Sequence, residues 1–173
     1  MPELLIHNFE ARLAASDCHP GSVSYRVIVK FEDNISEVLP YLNAELKQPT
    51  DYRPEEEILL WKQEGKTYAF RPGEIAIAPV LDNEEGFKLA GNAVEIVNNI
   101  WKRKDEITPD FKGKKPVPRL FDILKLLPGS NCKECGFPTC MAFAADLRMD
   151  FSKLSLCPYL SEKDFAKMIS DHD

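Results

Sequence analysis

Three of the five cysteines in this chain fall within nine positions, in NCKECGFPTC at residues 131–140, and a fourth follows at Cys157. The spacing is C-x2-C-x4-C-x16-C. A fold that gathers Cys132, Cys135, Cys140 and Cys157 must bind a metal centre with them, oxidise them in pairs or bury them as thiols. Structural zinc sites usually draw their ligands from two short pairs, each on its own turn. Three clustered cysteines and one distant one suit a [4Fe-4S] cube better, because a tight loop can wrap three corners while the fourth is reached from elsewhere in the chain. Zinc and disulfides remain as alternatives, the latter disfavoured in a reducing compartment.

The residues around the cysteines fit that reading. Gly136 permits backbone conformations closed to other residues and lets amides approach inorganic sulfide. Pro138 and Thr139 are expected to start a helix with Cys140, Phe143, Ala144, Leu147 and Phe151 on one face, its positive end toward an anionic cluster. Lys133 adds a nearby cation, and Phe137, Met141 and Leu156 are expected to limit water. Cys157-Pro158 ends any competing helix. Leu120, Ile123, Leu124 and Leu127 before the loop, and Phe165, Met168 and Ile169 after it, read as the core of a small domain. Ser161 and Asp164 mark the start of a terminal helix, related to a capping box.

With 173 residues, 44% of them hydrophobic, the chain can bury a real core without disulfides. MPELLIHNFEARLAAS has no basic leader or continuous apolar segment, and no window reaches membrane-span length, so a cytoplasmic protein without membrane insertion is expected. A net charge of -6 argues against nucleic-acid binding. The charge is uneven: residues 101–119 carry seven basic and three acidic side chains, against nine and seventeen in residues 1–100. That basic block also holds Pro109, Gly113, Pro116 and Pro118 and reads as a tether. The expected organisation is an α+β domain at 1–112, a basic Pro-rich linker at 113–119 and a cluster domain at 120–173.

Upstream, Val23, Tyr25, Val27, Val29 and Phe31 alternate as one face of a strand. Asn34 can cap a helix with Ile35, Val38, Leu39, Leu42 and Leu46 at helical spacing, which Pro40 must kink or split. EILLW and KTYAF flank the hairpin signal Gln63-Glu64-Gly65, and EIAIAPV follows the Pro72-Gly73 turn as a third strand. Phe87, Ala90, Val94, Val97 and Trp101 then line a helix over 85–103, weakened at Gly91. This order predicts an antiparallel sheet with helices on one face, followed by a small, mostly helical domain. No catalytic constellation appears. His7 and His19 stand in an irregular arm, Glu55, Glu56 and Glu57 read as a solvated run, and nothing near Cys18 activates it. The expectation is an electron carrier or accessory protein rather than an enzyme.

The stretch LFDILKLLPGSNCKECGFPTCMAFAADLRMDFSKLSLCPYL, about residues 118–160, resembles the [4Fe-4S] domain of the large subunit of corrinoid iron-sulfur proteins, the gamma subunit of acetyl-CoA decarbonylase/synthase. Similar domains occur in the Rnf complex B subunit and in reductive activators of corrinoid proteins. The resemblance implies that Cys132, Cys135, Cys140 and Cys157 are cluster ligands and that the domain passes single electrons. It further implies a protein redox partner, a corrinoid protein or a methyltransferase, in anaerobic metabolism. In those large subunits the domain is N-terminal and precedes a barrel and a cobalamin domain, for which this chain has no room. Lys133 stands where glycine is common in the family. The competing reading is a non-redox interaction module, with the cluster as structural staple or as oxygen or iron sensor.

Overall fold

Alternating apolar residues make strands of the segments so patterned, and the register between them shows what the alternation is for. The structure, a computed structural model, describes residues 3–15, 24–46, 50–114 and 117–170. The chain divides into two compact units, Met1–Lys114 and Lys115–Asp173. The first is built on a six-stranded sheet of β1 (Glu10–Ala15), β2 (Tyr25–Lys30), β3 (Thr50–Arg53), β4 (Ile58–Gln63), β5 (Lys66–Arg71) and β6 (Glu74–Val80). Its order is β1-β2-β6-β5-β4-β3, and every neighbouring pair is antiparallel.

Two rows of side chains cross all six strands on one face. Ala11, Val29, Ile75, Phe70, Leu59 and Tyr52 form one row, and Leu13, Val27, Ile77, Tyr68, Trp61 and Thr50 the other. Most of these residues are buried, and with the helices they make one apolar core. The helices are α1 (Leu39–Glu45) and α2 (Asn83–Lys102); α2 packs on β1, β2 and β6, and α1 on β3, β4 and α2. The architecture is α+β, as the order of elements predicts.

Local chemistry explains the elements. Pro40 splits the expected helix: a 3-10 turn at Ser36–Val38, its first amide accepted by Asn34 Oδ1 at 2.8 Å, precedes α1, which carries the proline in its opening turn where no amide is needed. Glu64 and Gly65 both take positive φ, 51° and 75°, and so close the β4–β5 hairpin. Asp82 caps α2 by accepting from the Glu85 amide, while Glu85 accepts from the Leu81 amide and pairs with Lys66 at 2.7 Å. Those contacts, the Lys66 bond first, hold the Glu85 carboxyl below its ordinary range.

Three readings are corrected. β1 lies in what was expected to be an irregular arm, and β3 was not anticipated. Phe87 is exposed, and the buried face of α2 instead begins at Gly86, where an added Cβ would meet Leu13 Cδ1 at 2.7 Å. Trp101 is half-buried and packs against the core, on the side of the helix expected for it. Cys18, His19 and Val23 lie outside the described residues. The His7 amide and ring bond Asp33 at 3.0 and 3.2 Å. Pro54–Glu56 forms an exposed 3-10 turn, so the acidic run is solvated.

Two buried asparagines tie irregular chain to this frame. Asn98 on α2 accepts from the Leu5 and Ile6 amides at 3.0 and 2.8 Å and donates to the Ile6 carbonyl at 3.0 Å. Asn43 on α1 donates to the Asp110 and Lys112 carbonyls and accepts from the Thr50 hydroxyl. Asn98→Ala strands buried backbone groups and lowers stability by about 2 kcal/mol. Gly91→Ala, where an added Cβ meets nothing within 4 Å, raises stability by about 0.5–1 kcal/mol. Denaturant unfolding followed by circular dichroism checks both.

Candidate metal centre

The second unit holds three α-helices, α3 (Leu120–Leu126), α4 (Cys140–Leu147) and α5 (Glu162–Ser170), with a 3-10 helix at Phe151–Leu156. The cysteine loop runs between α3 and α4. It turns sharply because Asn131, Lys133 and Gly136 all have positive φ, 49°, 64° and 84°. Glycine takes that region freely and asparagine tolerates it, but a lysine held there costs about 1–2 kcal/mol. The Gly136 amide bonds the Lys133 carbonyl at 3.0 Å, closing the turn that carries Cys135.

Asn131 then bridges the whole loop. Its Oδ1 accepts from the Cys140 amide at 2.8 Å, tying the loop's start to the first residue of α4. Thr139 is the helix cap, accepting from the Ala142 amide at 3.1 Å, so α4 begins one residue later than Pro138-Thr139 suggested. The Cys140 and Ala142 amides, in the first turn of α4, therefore donate to side chains of the loop itself. Cys140, Phe143, Ala144 and Leu147 are buried on one face, as predicted, but Phe151 belongs to the 3-10 helix. Asp150, itself buried, accepts from the Ser152 amide and caps the 3-10 helix that delivers Cys157.

The four thiols are free of disulfides. Cys140 and Cys157 are buried in one apolar cluster with Ile123, Leu127, Phe143, Leu147, Leu160 and Phe165, and Cys135 packs against it half-buried. Cys132 is exposed and outside that cluster. Among the described residues no three His, Cys, Asp or Glu side chains are gathered to hold one metal ion. Phe137 packs on Phe143 at 5.4 Å between ring centroids, partly buried, whereas Met141 and Leu156, expected to limit water, are nearly half exposed. Lys153 pairs with Asp146 at 2.6 Å while its ammonium lies 6.0 Å from the Phe137 ring. The Glu134 carboxylate accepts from the Tyr159 hydroxyl at 3.1 Å, raising the phenol above its ordinary range, and the Cys132 and Cys157 thiols lie within electrostatic reach of the same hydroxyl. Ser161 Oγ accepts from the Asp164 amide at 3.4 Å at the start of α5.

The four cysteines are soft sulfur donors, a type suited to iron-sulfur centres and to zinc rather than to hard cations, and three of them lie in or against the apolar cluster. Residues 127–159 match the family model described as "Putative Fe-S cluster". The chain's C-terminal region is also similar to curated proteins. It is 50% identical over 46 residues to the acetyl-CoA decarbonylase/synthase complex subunit gamma of Methanocaldococcus jannaschii, covering 27% of this chain and 9% of that protein. Against the corrinoid/iron-sulfur protein large subunit of Moorella thermoacetica it is 51% identical over 41 residues, 24% of this chain and 9% of that one. Against subunit gamma 1 of the complex from Methanosarcina thermophila it is 52% identical over 53 residues, 30% and 11% of the two chains. The chain thus spans about a tenth of the length of these relatives. No solved structure matches it. Among the described residues no helix is long and apolar enough to cross a membrane.

Lys133 supplies the test of the loop's geometry. Lys133→Gly removes the left-handed strain and stabilises the second unit by about 1 kcal/mol, read as slower hydrogen exchange of the amides around α4 under anaerobic conditions.

Proposed function

We propose that Cys132, Cys135, Cys140 and Cys157 hold a [4Fe-4S] cluster and that the protein is a small electron carrier, not an enzyme, serving an anaerobic corrinoid-dependent or related redox system. The observation that carries this reading is the set of four free thiols, three of them on one apolar cluster, inside the segment similar to iron-sulfur relatives. A cluster bound there takes up and returns one electron at a time. Asn131 and α4 hold Cys140, and the 3-10 helix holds Cys157, so the two buried ligands keep their places as the charge of the site changes. Phe137 and Phe143 lower the local dielectric, which disfavours added negative charge. The Lys133 ammonium, between Cys132 and Cys135, acts in the opposite direction. The partner is a protein: a corrinoid protein, as the name of the Moorella thermoacetica relative suggests, or a methyltransferase. The first unit, about residues 1–112, is its docking domain, and residues 113–119 are the linker.

A second reading has its own support. The core of the second unit is small, nine buried residues, and a unit of that size gains much of its stability from a metal centre. A structural staple is therefore the alternative to a carrier. A reversible one-electron wave in film voltammetry is the expected result, and its absence from a cluster-loaded protein leaves the staple. Cys132→Ser, Cys135→Ser, Cys140→Ser and Cys157→Ser are each expected to lose most of the iron and sulfide found in the parent protein, whereas Cys18→Ser retains both.

A further inference from the structure

The first unit contains a cavity of about 450 Å3 to which no role attaches so far. Its walls are aromatic: Tyr41 comes from α1, Tyr52 from β3, Trp101 from the last turn of α2, and Phe111 from the chain beyond. Tyr52 is buried and Phe111 is 65% exposed, so the rings run from floor to rim. The carboxylates of Glu37 and Asp105 also line the cavity, and neither makes an ion pair among the described residues. Ser36 is also among the lining residues.

The sign of a ligand for this cavity follows from the lining. Aromatic faces carry negative charge density and attract cations, most strongly at tryptophan. Two unpaired carboxylates add to that attraction and repel anions. One lining residue already responds to it: Lys104 lays its ammonium 3.6 Å from the Trp101 ring centroid. We propose that this cavity binds an organic cation, an alkylated ammonium or guanidinium group, which displaces Lys104 from the face of Trp101. The group belongs either to a free amine or to a basic side chain of a partner protein. Every lining residue lies within Met1–Lys114.

The test uses the full chain, labelled with 15N, titrated at constant ionic strength with choline, with the neutral isostere 3,3-dimethylbutan-1-ol, and with the tripeptide amide Gly-Arg-Gly. Choline or the tripeptide is expected to move the Trp101 indole resonance saturably while that of Trp61, buried in the sheet core, stays in place. The tighter of the two identifies the source of the cation. The neutral alcohol is expected to bind about tenfold more weakly than choline. Lys104→Met, which frees the ring face, tightens the cation several-fold, and Glu37→Gln combined with Asp105→Asn weakens it about fivefold at low salt. Equal binding of choline and the alcohol overturns the proposal, as does the absence of a saturable shift at Trp101 with either cation. A folded Lys104→Met protein with unchanged or weaker affinity overturns it too, and should that variant not fold, the comparison of choline with the alcohol on the parent protein decides.

Discussion

The hydrogen bond from the Cys140 amide to Asn131 Oδ1 turns a stretch of irregular chain into a closed loop with a helix at its end. Without it, the loop's turns at Lys133 and Gly136 have no fixed relation to α4. The bond also fixes where the first cysteines stand, because Cys132 directly follows Asn131. On the other side of α4, buried Asp150 and the 3-10 helix do the same for Cys157. Short polar brackets thus hold the loop and the 3-10 helix on a small apolar core, in which Cys140 and Cys157 are buried while Cys132 stays exposed.

The same device recurs in the first unit. Asn43 and Asn98, both buried, use a side-chain amide as a substitute peptide group, satisfying backbone donors and acceptors that lie in no sheet or helix. Asn98 secures the chain before β1, and Asn43 secures the chain after α2. The second of these anchors matters for the cavity, because it holds the segment that presents Phe111 opposite Tyr52 and Trp101. A large sheet core carries the stability of this unit. The second unit has no such reserve.

Much of the fold is legible from periodicity because the buried rows are long. Val27, Val29, Ile75 and Ile77 belong to strands paired on both sides, so every second residue is apolar and the alternation is plain. β1 and β3 are edge strands, and their segments EARLAA and TDYR bury too few large side chains to show a period. Phe87 misled for a related reason: α2 meets the sheet through Gly86, and a pattern search for large apolar residues passes over the residue whose lack of a side chain allows the close approach. In the second unit, Phe143, Leu147, Ile123 and Phe165 follow helical spacing and are buried where that spacing places them. Asn131 gives no such signal, since a side-chain acceptor aimed nine residues ahead is set by loop geometry. The cavity was equally invisible, being lined by residues from segments scattered between Ser36 and Phe111.

The central claim is that the four thiols of the second unit bind a polynuclear iron-sulfur centre that changes charge by one electron. Electron paramagnetic resonance of the protein purified under argon and reduced with dithionite tests it most directly, alongside metal and sulfide analysis of the same sample. The account predicts equal amounts of iron and acid-labile sulfide and a signal that appears on reduction and disappears on reoxidation. A colourless protein with one zinc per chain, no sulfide and no signal contradicts it.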